Sequence, residues 1–236
     1  MVLLMQRRAP LAVDEVYHVY NRGAHKARIF RRDADKDRFQ LLLYLANDSS
    51  PLSFRELSLK YKGRSFADAF VRETPDKSLV DVLAYSLMPN HFHLMLRQKT
   101  EEGITTFIKK LATAYSMYFN GQHKHSGVLF QGRFKSSHID GNAYFRYLLS
   151  YIHLNPIELV EPQWKEEKIQ DPRRARTFLN RYRHSSFYDY SVRERPERVI
   201  LAHDEIRDVL GKQNDFEELL EARKEILRDG SVEAFE

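Results

Sequence analysis

Cysteine is absent from the 236-residue chain. That excludes a disulfide scaffold, a Cys-ligated zinc finger, an iron–sulfur cluster and a thiol nucleophile. There is no apolar run of about 18 residues, so no membrane span is expected. The stretch Met1 to Gln6 is too short for a signal-peptide core, and the expected location is cytoplasmic. Acidic side chains are scarce in one place. Between Thr105 and Asn155, Asp140 stands alone against Lys109, Lys110, Lys124, Arg133, Lys135 and Arg146. That window holds a charge equal to the net +5 of the whole chain. It is also rich in histidine (His123, His125, His138 and His153) and aromatic side chains. A basic, aromatic, acid-poor stretch in an otherwise neutral chain suits a polyanion partner. A solvated surface short of carboxylates would look the same by composition.

Residues Val16 to Asn21 alternate β-formers and predict a strand. Phe39, Leu42, Leu43 and Ala46 fall at helical spacing over Asp35 to Asn47, behind acidic residues that suit a helix N-terminus. Residues Asp48 to Ser78 are polar and read as an insertion with room for one short helix. Leu79 to Leu87 predicts a second strand, Met88-Pro89-Asn90 a turn, and His91 to Arg97 the returning strand of a hairpin. Gly103 to Asn120 is the clearest helix, with Ile104, Phe107, Ile108, Leu111, Tyr115 and Tyr118 on one face. Val128 to Ile139 is mixed extended chain that supplies a fourth strand. Asn142 to His153 is helical and should end near Asn155, ahead of Pro156.

The resulting order, β-α-β-β-α-β and a further helix, predicts an α+β, ferredoxin-like antiparallel sheet with helices on one face. Beyond Pro156 the composition turns proline- and arginine-rich, then helical at about His203 to Leu210 and Asp215 to Arg228. The expected organisation is a core over 1–156, carrying the insertion 48–79, and a mainly helical C-terminal appendage over 157–236.

Three segments could carry chemistry. In His91-Phe92-His93 the two imidazoles share one strand face while Phe92 points to the other, which makes a half-site for a divalent metal. Two partly buried histidines with ordinary hydrogen bonds would show the same pattern, and a third ligand is needed. In Tyr151-Ile152-His153-Leu154-Asn155-Pro156, Tyr151 and Asn155 lie one helical turn apart. A phenol and an amide oxygen so placed can serve as nucleophile and metal ligand; a core tyrosine before a terminating Asn-Pro is the plainer reading. In GVLFQGRFKSS, Arg133 and Lys135 sit among Phe130 and Phe134, a mixture that suits phosphate contact with base stacking on single strands. An amphipathic strand with a solvated basic face fits equally well.

Taken together, MPNHFHLML, GVLFQGRFKS and YFRYLLSYIHLNP, in this order and spacing, resemble the REP-associated tyrosine transposases, a family of HUH (His–hydrophobic–His) single-tyrosine transposases. YHVYNRG resembles that family's first strand, and YRHSSFYDY its downstream aromatic-Ser-Ser segment. The likeness runs roughly from Val16 to Tyr190; the tail beyond about Arg193 lies outside it. It implies a ferredoxin-like enzyme that cuts and rejoins single-stranded DNA through a 5′-phosphotyrosine intermediate, beside a hairpin.

By position, His91 and His93 match the metal ligands, Tyr151 the nucleophile, and Asn155 the polar residue that completes the metal site, where related enzymes often have Gln. Tyr115 is a rival nucleophile, but its place in the apolar stripe marks it as core. The implied cofactor is Mg²⁺ or Mn²⁺, the nitrogen ligands tilting toward Mn²⁺. Arg133, Lys135 and, more weakly, Arg22 are the expected phosphate contacts, with binding that weakens steeply in salt. A homodimer would be compatible, with Tyr151 meeting the histidines of either copy. Two other classes remain open: a non-catalytic single-stranded nucleic-acid binding module with an RNA-recognition-like sheet, and a zinc hydrolase on His91 and His93, for which no HExxH pattern exists.

Overall fold

In the computed structural model, residues 11–50, 70, 77–202 and 216–229 are described. The alternating β-formers of the first segment make strand β1 (Val16–Arg22). The chain then turns at Gly23, where a β-carbon would lie 2.1 Å from the carbonyl oxygen of Ala27, so only glycine fits the close approach. Helix α1 (Asp33–Leu45) starts where the acidic residues predicted it. The Asp35 carboxylate accepts from the backbone N–H groups of Arg31 and Arg32 at 2.9 and 3.0 Å, satisfying donors left open at a helix start. Strands β2 (Val80–Met88) and β3 (His91–Gln98) form the hairpin. Its turn is tied down because Ile29 and Phe30 both donate to the Pro89 carbonyl.

Helix α2 (Gly103–His123), strand β4 (Lys135–His138) and helix α3 (Asn142–Leu154) follow. The four strands form one sheet in the order β2-β3-β1-β4, with every neighbouring pair antiparallel. That is the ferredoxin-like arrangement the element order predicted. The fourth strand is shorter than the extended stretch read from the sequence. The insertion and the helix expected near 203–210 lie mostly or wholly outside the described residues.

The sheet separates two cores. On one face Tyr17, Val19, Phe92, Leu94 and Leu96 pack against Phe39, Leu42, Phe107, Leu111 and Tyr115 of α1 and α2. On the other, Met95 and residues Leu83 and Ala84 of β2 pack against Leu148, Leu149 and Ile152 of α3. The two crossover helices therefore share one face as expected, and the further helix covers the opposite one. A β-bulge between Val82 and Ala84 lets β2 present adjacent residues, Leu83 and Ala84, to the α3 side.

Helix α3 ends at Leu154, as expected ahead of Pro156, and the chain continues without a break. Asn155 keeps helical angles (φ −51°, ψ −40°), and a 3-10 turn runs from Asn155 to Leu159. Short helices α4 (Trp164–Glu167), α5 (Pro172–Leu179) and α6 (Ser186–Ser191) follow, and α7 (Phe216–Asp229) returns to lie on α3. Trp164, Leu179, Phe187, Phe216 and Leu219 bury one another around Leu154 and Ile157. Tail residues also reach the sheet: Tyr182 donates its hydroxyl to the Leu87 carbonyl, and Ser186 Oγ accepts from Tyr85 N at 2.9 Å.

Candidate functional site

The period of two along β3 sends His91, His93 and Met95 to the α3 face while Phe92 and Leu94 fill the other core. The same period on β1 puts His18 and Tyr20 beside them, since Tyr20 is paired with His93 in the register. The His91 and His93 rings stand 4.9 Å apart, centroid to centroid, and nearly perpendicular. His91 Nδ1 donates to Asn90 Oδ1 at 2.7 Å, and His93 Nδ1 is hydrogen-bonded to His18 Nε2 at 2.9 Å. Both δ-nitrogens are thus held by neighbours, which leaves the two ε-nitrogens for a ligand. Burial lowers the pKa of His91 to about 4 and drives His93 well below the usual histidine range, where the like charge of His91 pushes the same way. Both rings are neutral at physiological pH, the state a metal ligand requires.

Tyr151 projects from α3 onto this pair. Its ring meets His93 edge-on at 5.3 Å and His18 at 6.2 Å. The nucleophile candidate and the histidines therefore meet within one chain. Burial raises the phenol's pKa, and the Lys165 ammonium opposes that rise. One turn beyond Tyr151, Asn155 is completely buried, and neither its amide oxygen nor its nitrogen has a hydrogen-bond partner. It acts on the His91 ring as a neighbour. An unpaired buried amide is costly unless something binds it, so an amide oxygen beside the His91 imidazole suits a divalent cation. Among the described residues no group of three His, Cys, Asp or Glu side chains gathers to hold a metal.

His91, His93 and Tyr151 open onto a cavity of about 350 Å³. Among the described residues, Arg22, Lys26, Arg133, Lys135 and Lys165 share its wall with one carboxylate, Glu158. The basic residues expected on the strength of the FQGRFKS segment and after β1 are thus brought to the same opening as the histidines and Tyr151. Arg22 Nε donates to Gln131 Oε1, and Lys135 Nζ lies 5.8 Å from the Tyr20 ring centroid.

The aromatics of that segment behave otherwise. Phe130 is buried in the α1–α2 core and Phe134 packs against it. The aromatic ring beside Lys135 in the cavity is Tyr20 instead. Tyr115 lies on the far side of the sheet, fully buried, with its hydroxyl donating to the Ile29 carbonyl at 2.6 Å.

Several residues at or beside the site escaped the sequence reading. His18 and Tyr20 carried a usable signal, since alternation from His18 puts both on one face of β1. Glu158 and Lys165 carried none, because they reach the cavity only through the 3-10 turn and the packing of the tail. No helix among the described residues is long and apolar enough to cross a membrane.

Residues 53–155 match the family model described as "Transposase IS200 like". No curated protein matches the chain. Among solved structures, one of a REP-associated tyrosine transposase bound to a REP hairpin is similar at 11% identity and a TM-score of 0.43, over 79% of this chain and 84% of that one.

Proposed function

We propose, from the match of residues 53–155 to the model described as "Transposase IS200 like" and from the site's geometry, a metal-dependent transposase that cleaves and rejoins single-stranded DNA through a 5′-phosphotyrosine intermediate. The observation that carries the reading is the meeting of Tyr151, His91 and His93 at one basic cavity, with the unpaired amide of Asn155 buried behind them. On this reading residues 1–156 form the transposase core, and the appendage over 157–236 completes the cavity wall with Glu158 and Lys165.

His91 and His93 through their ε-nitrogens, with Asn155 through its amide oxygen, would hold Mg²⁺ or Mn²⁺. The bound ion would supply charge neutralisation at a non-bridging phosphate oxygen. Arg22, Arg133 and Lys135 hold the strand by its phosphates, with Tyr20 offering a ring for a base. Tyr151 attacks phosphorus in line, displaces the 3′-oxygen and stays joined to the 5′-phosphate. The ester bond is kept in the adduct, so a second 3′-hydroxyl can reverse the step without ATP. The motif resemblance adds a hairpin beside the cut, and one tyrosine permits one covalent end at a time.

The test is a hairpin-flanked single strand labelled at its 3′ end, incubated with protein and Mn²⁺ and run on a denaturing gel. The expected product is a protein-linked 3′-terminal fragment, lost in Tyr151→Phe and on chelation. Binding without any adduct in wild type would favour the non-catalytic binding module.

A further inference from the structure

Tyr151 has a neighbour that the motif resemblance does not include. Lys165, on α4, lies outside the matched segment, and its Nζ sits 5.4 Å from the centre of the Tyr151 ring. The ammonium and the Tyr151 hydroxyl are within hydrogen-bonding reach of one another. Lys165 also donates to Glu158 Oε2 at 2.8 Å, and all three side chains line the cavity that His91 and His93 face.

The placement is held from behind. Trp164, the preceding residue, is fully buried, and the Arg223 guanidinium stacks on its ring at 4.1 Å. Arg223 also donates to the Lys165 carbonyl at 3.0 Å, and Ser150 on α3 donates to the Leu219 carbonyl. Helix α7 therefore clamps the turn bearing Lys165 against the helix bearing Tyr151. A long, entropically costly side chain is kept over one phenol by two layers of packing.

We infer that Lys165 is a further catalytic residue, whose ammonium holds the Tyr151 oxygen and compensates the negative charge that develops on it during strand cleavage and strand joining. This rests on the strand-transfer reading above. In cleavage a bond forms from the Tyr151 oxygen to phosphorus, and the bond from phosphorus to the 3′-oxygen breaks. The electron pair leaves with that oxygen, and the phenolic proton ends on it as a 3′-hydroxyl. Joining runs the same atoms backwards, with phenolate as the leaving group. A fixed cation beside the phenolic oxygen assists both directions and is itself unchanged, as preorganised electrostatic stabilisation requires. Glu158 keeps the ammonium aimed while the phenol is neutral.

The experiment compares wild type, Lys165→Ala, Lys165→Arg and Tyr151→Phe on the hairpin-flanked strand with Mn²⁺, measuring adduct formation and joining separately. Lys165→Ala is expected to slow both rates by about 100-fold, with DNA and Mn²⁺ affinities within about twofold of wild type. Ethylammonium should restore part of the Lys165→Ala rate, and Lys165→Arg should keep an intermediate one. Wild-type rates in Lys165→Ala would overturn the inference. So would a loss that no added amine repairs and that comes with lost DNA or Mn²⁺ binding, since that is the behaviour of a packing residue. Absence of any adduct in wild type would strike the strand-transfer reading itself, and the role of Lys165 with it.

Discussion

Tyr115 and Tyr151 are both buried tyrosines on helices that follow the HFH strand, yet they sit on opposite faces of one sheet. Tyr115 is enclosed by Phe30, Phe39 and Phe130, its hydroxyl is committed to a backbone carbonyl, and burial drives its pKa far above the usual phenol range. Tyr151 faces two imidazoles, an ammonium and an open basic cavity. Residue type, helical setting and burial are shared. The difference lies in what surrounds each oxygen, and a nucleophile needs room for phosphorus and a cation to hold its charge. The strand between them divides its side chains in the same way, with Phe92 and Leu94 sent to the sealed face and His91 and His93 to the open one.

The largest effect should come from exchanging the two phenols. Tyr151→Phe is expected to lower adduct formation by at least about 10⁴-fold, the scale of losing a covalent nucleophile, with little change in stability. Tyr115→Phe should leave adduct formation intact while costing about 1–3 kcal/mol in urea unfolding, because the Ile29 carbonyl loses its buried donor. Adduct retained in Tyr151→Phe and lost in Tyr115→Phe would reverse the assignment of the two faces.

A smaller separation is expected along β3. His93→Ala should weaken Mn²⁺ binding by at least about 100-fold, read by electron paramagnetic resonance of free Mn²⁺. Leu94→Ala, one residue on, should leave Mn²⁺ binding unchanged and cost about 2–5 kcal/mol through the cavity it leaves. Equal metal affinity in the two variants would remove the metal from the open face.

The smallest effect is one of pH. His153, on the α3 side, is fully enclosed and hydrogen-bonded to Ser186 Oγ at 2.8 Å, and burial lowers its pKa from 6.5 to about 3. Its folded pKa lies below the unfolded one, so its contribution is complete above pH 6.5 and is lost as pH falls toward 3. The loss should be about 1.4 kcal/mol per pH unit in the metal-free protein. Urea unfolding at pH 7.5, 6 and 5 should show a decline to which His18, His91 and His93, also lowered by burial, add in the same direction, and the slope should be smaller by about 1.4 kcal/mol per pH unit in His153→Phe. An unchanged slope in the variant would mean that this ring takes up its proton without resistance.

Much of the fold was legible in the chain because the patterns that encode it are local. Alternation in VYHVYN and HFHLMLR marks strands with two chemically different faces, and the stripe of Phe107, Leu111 and Tyr115 marks a helix. The turn at Pro89-Asn90 fixes the hairpin register, so the face shared by His91 and His93 followed from counting by two. The limits were also local. The shift at Leu83 and Ala84 is a bulge, which no alternation rule anticipates. The α-helix stops at Leu154, as expected ahead of Pro156, but the 3-10 turn that follows, which brings Glu158 round to the cavity, left no signal in the sequence. Phe130 was read beside Arg133 as surface aromatic, yet its ring enters the core while the neighbouring cations turn outward.

By itself the sequence determined the tools and their spacing. With no cysteine, the groups offered for metal ligation and nucleophilic attack at this site are imidazole, amide and phenol, and periods of two and 3.6 residues place His91 with His93 and Tyr151 with Asn155. Only the tertiary structure decided that the two pairs meet, because that depends on α3 covering the face opposite α1 and α2. It also decided that His18 holds His93, that Asn155 is buried without a partner, and that Lys165 arrives over Tyr151 from a distant segment. Those contacts join residues far apart in the chain, where the energy comes from packing many side chains at once and leaves no periodic trace in the sequence.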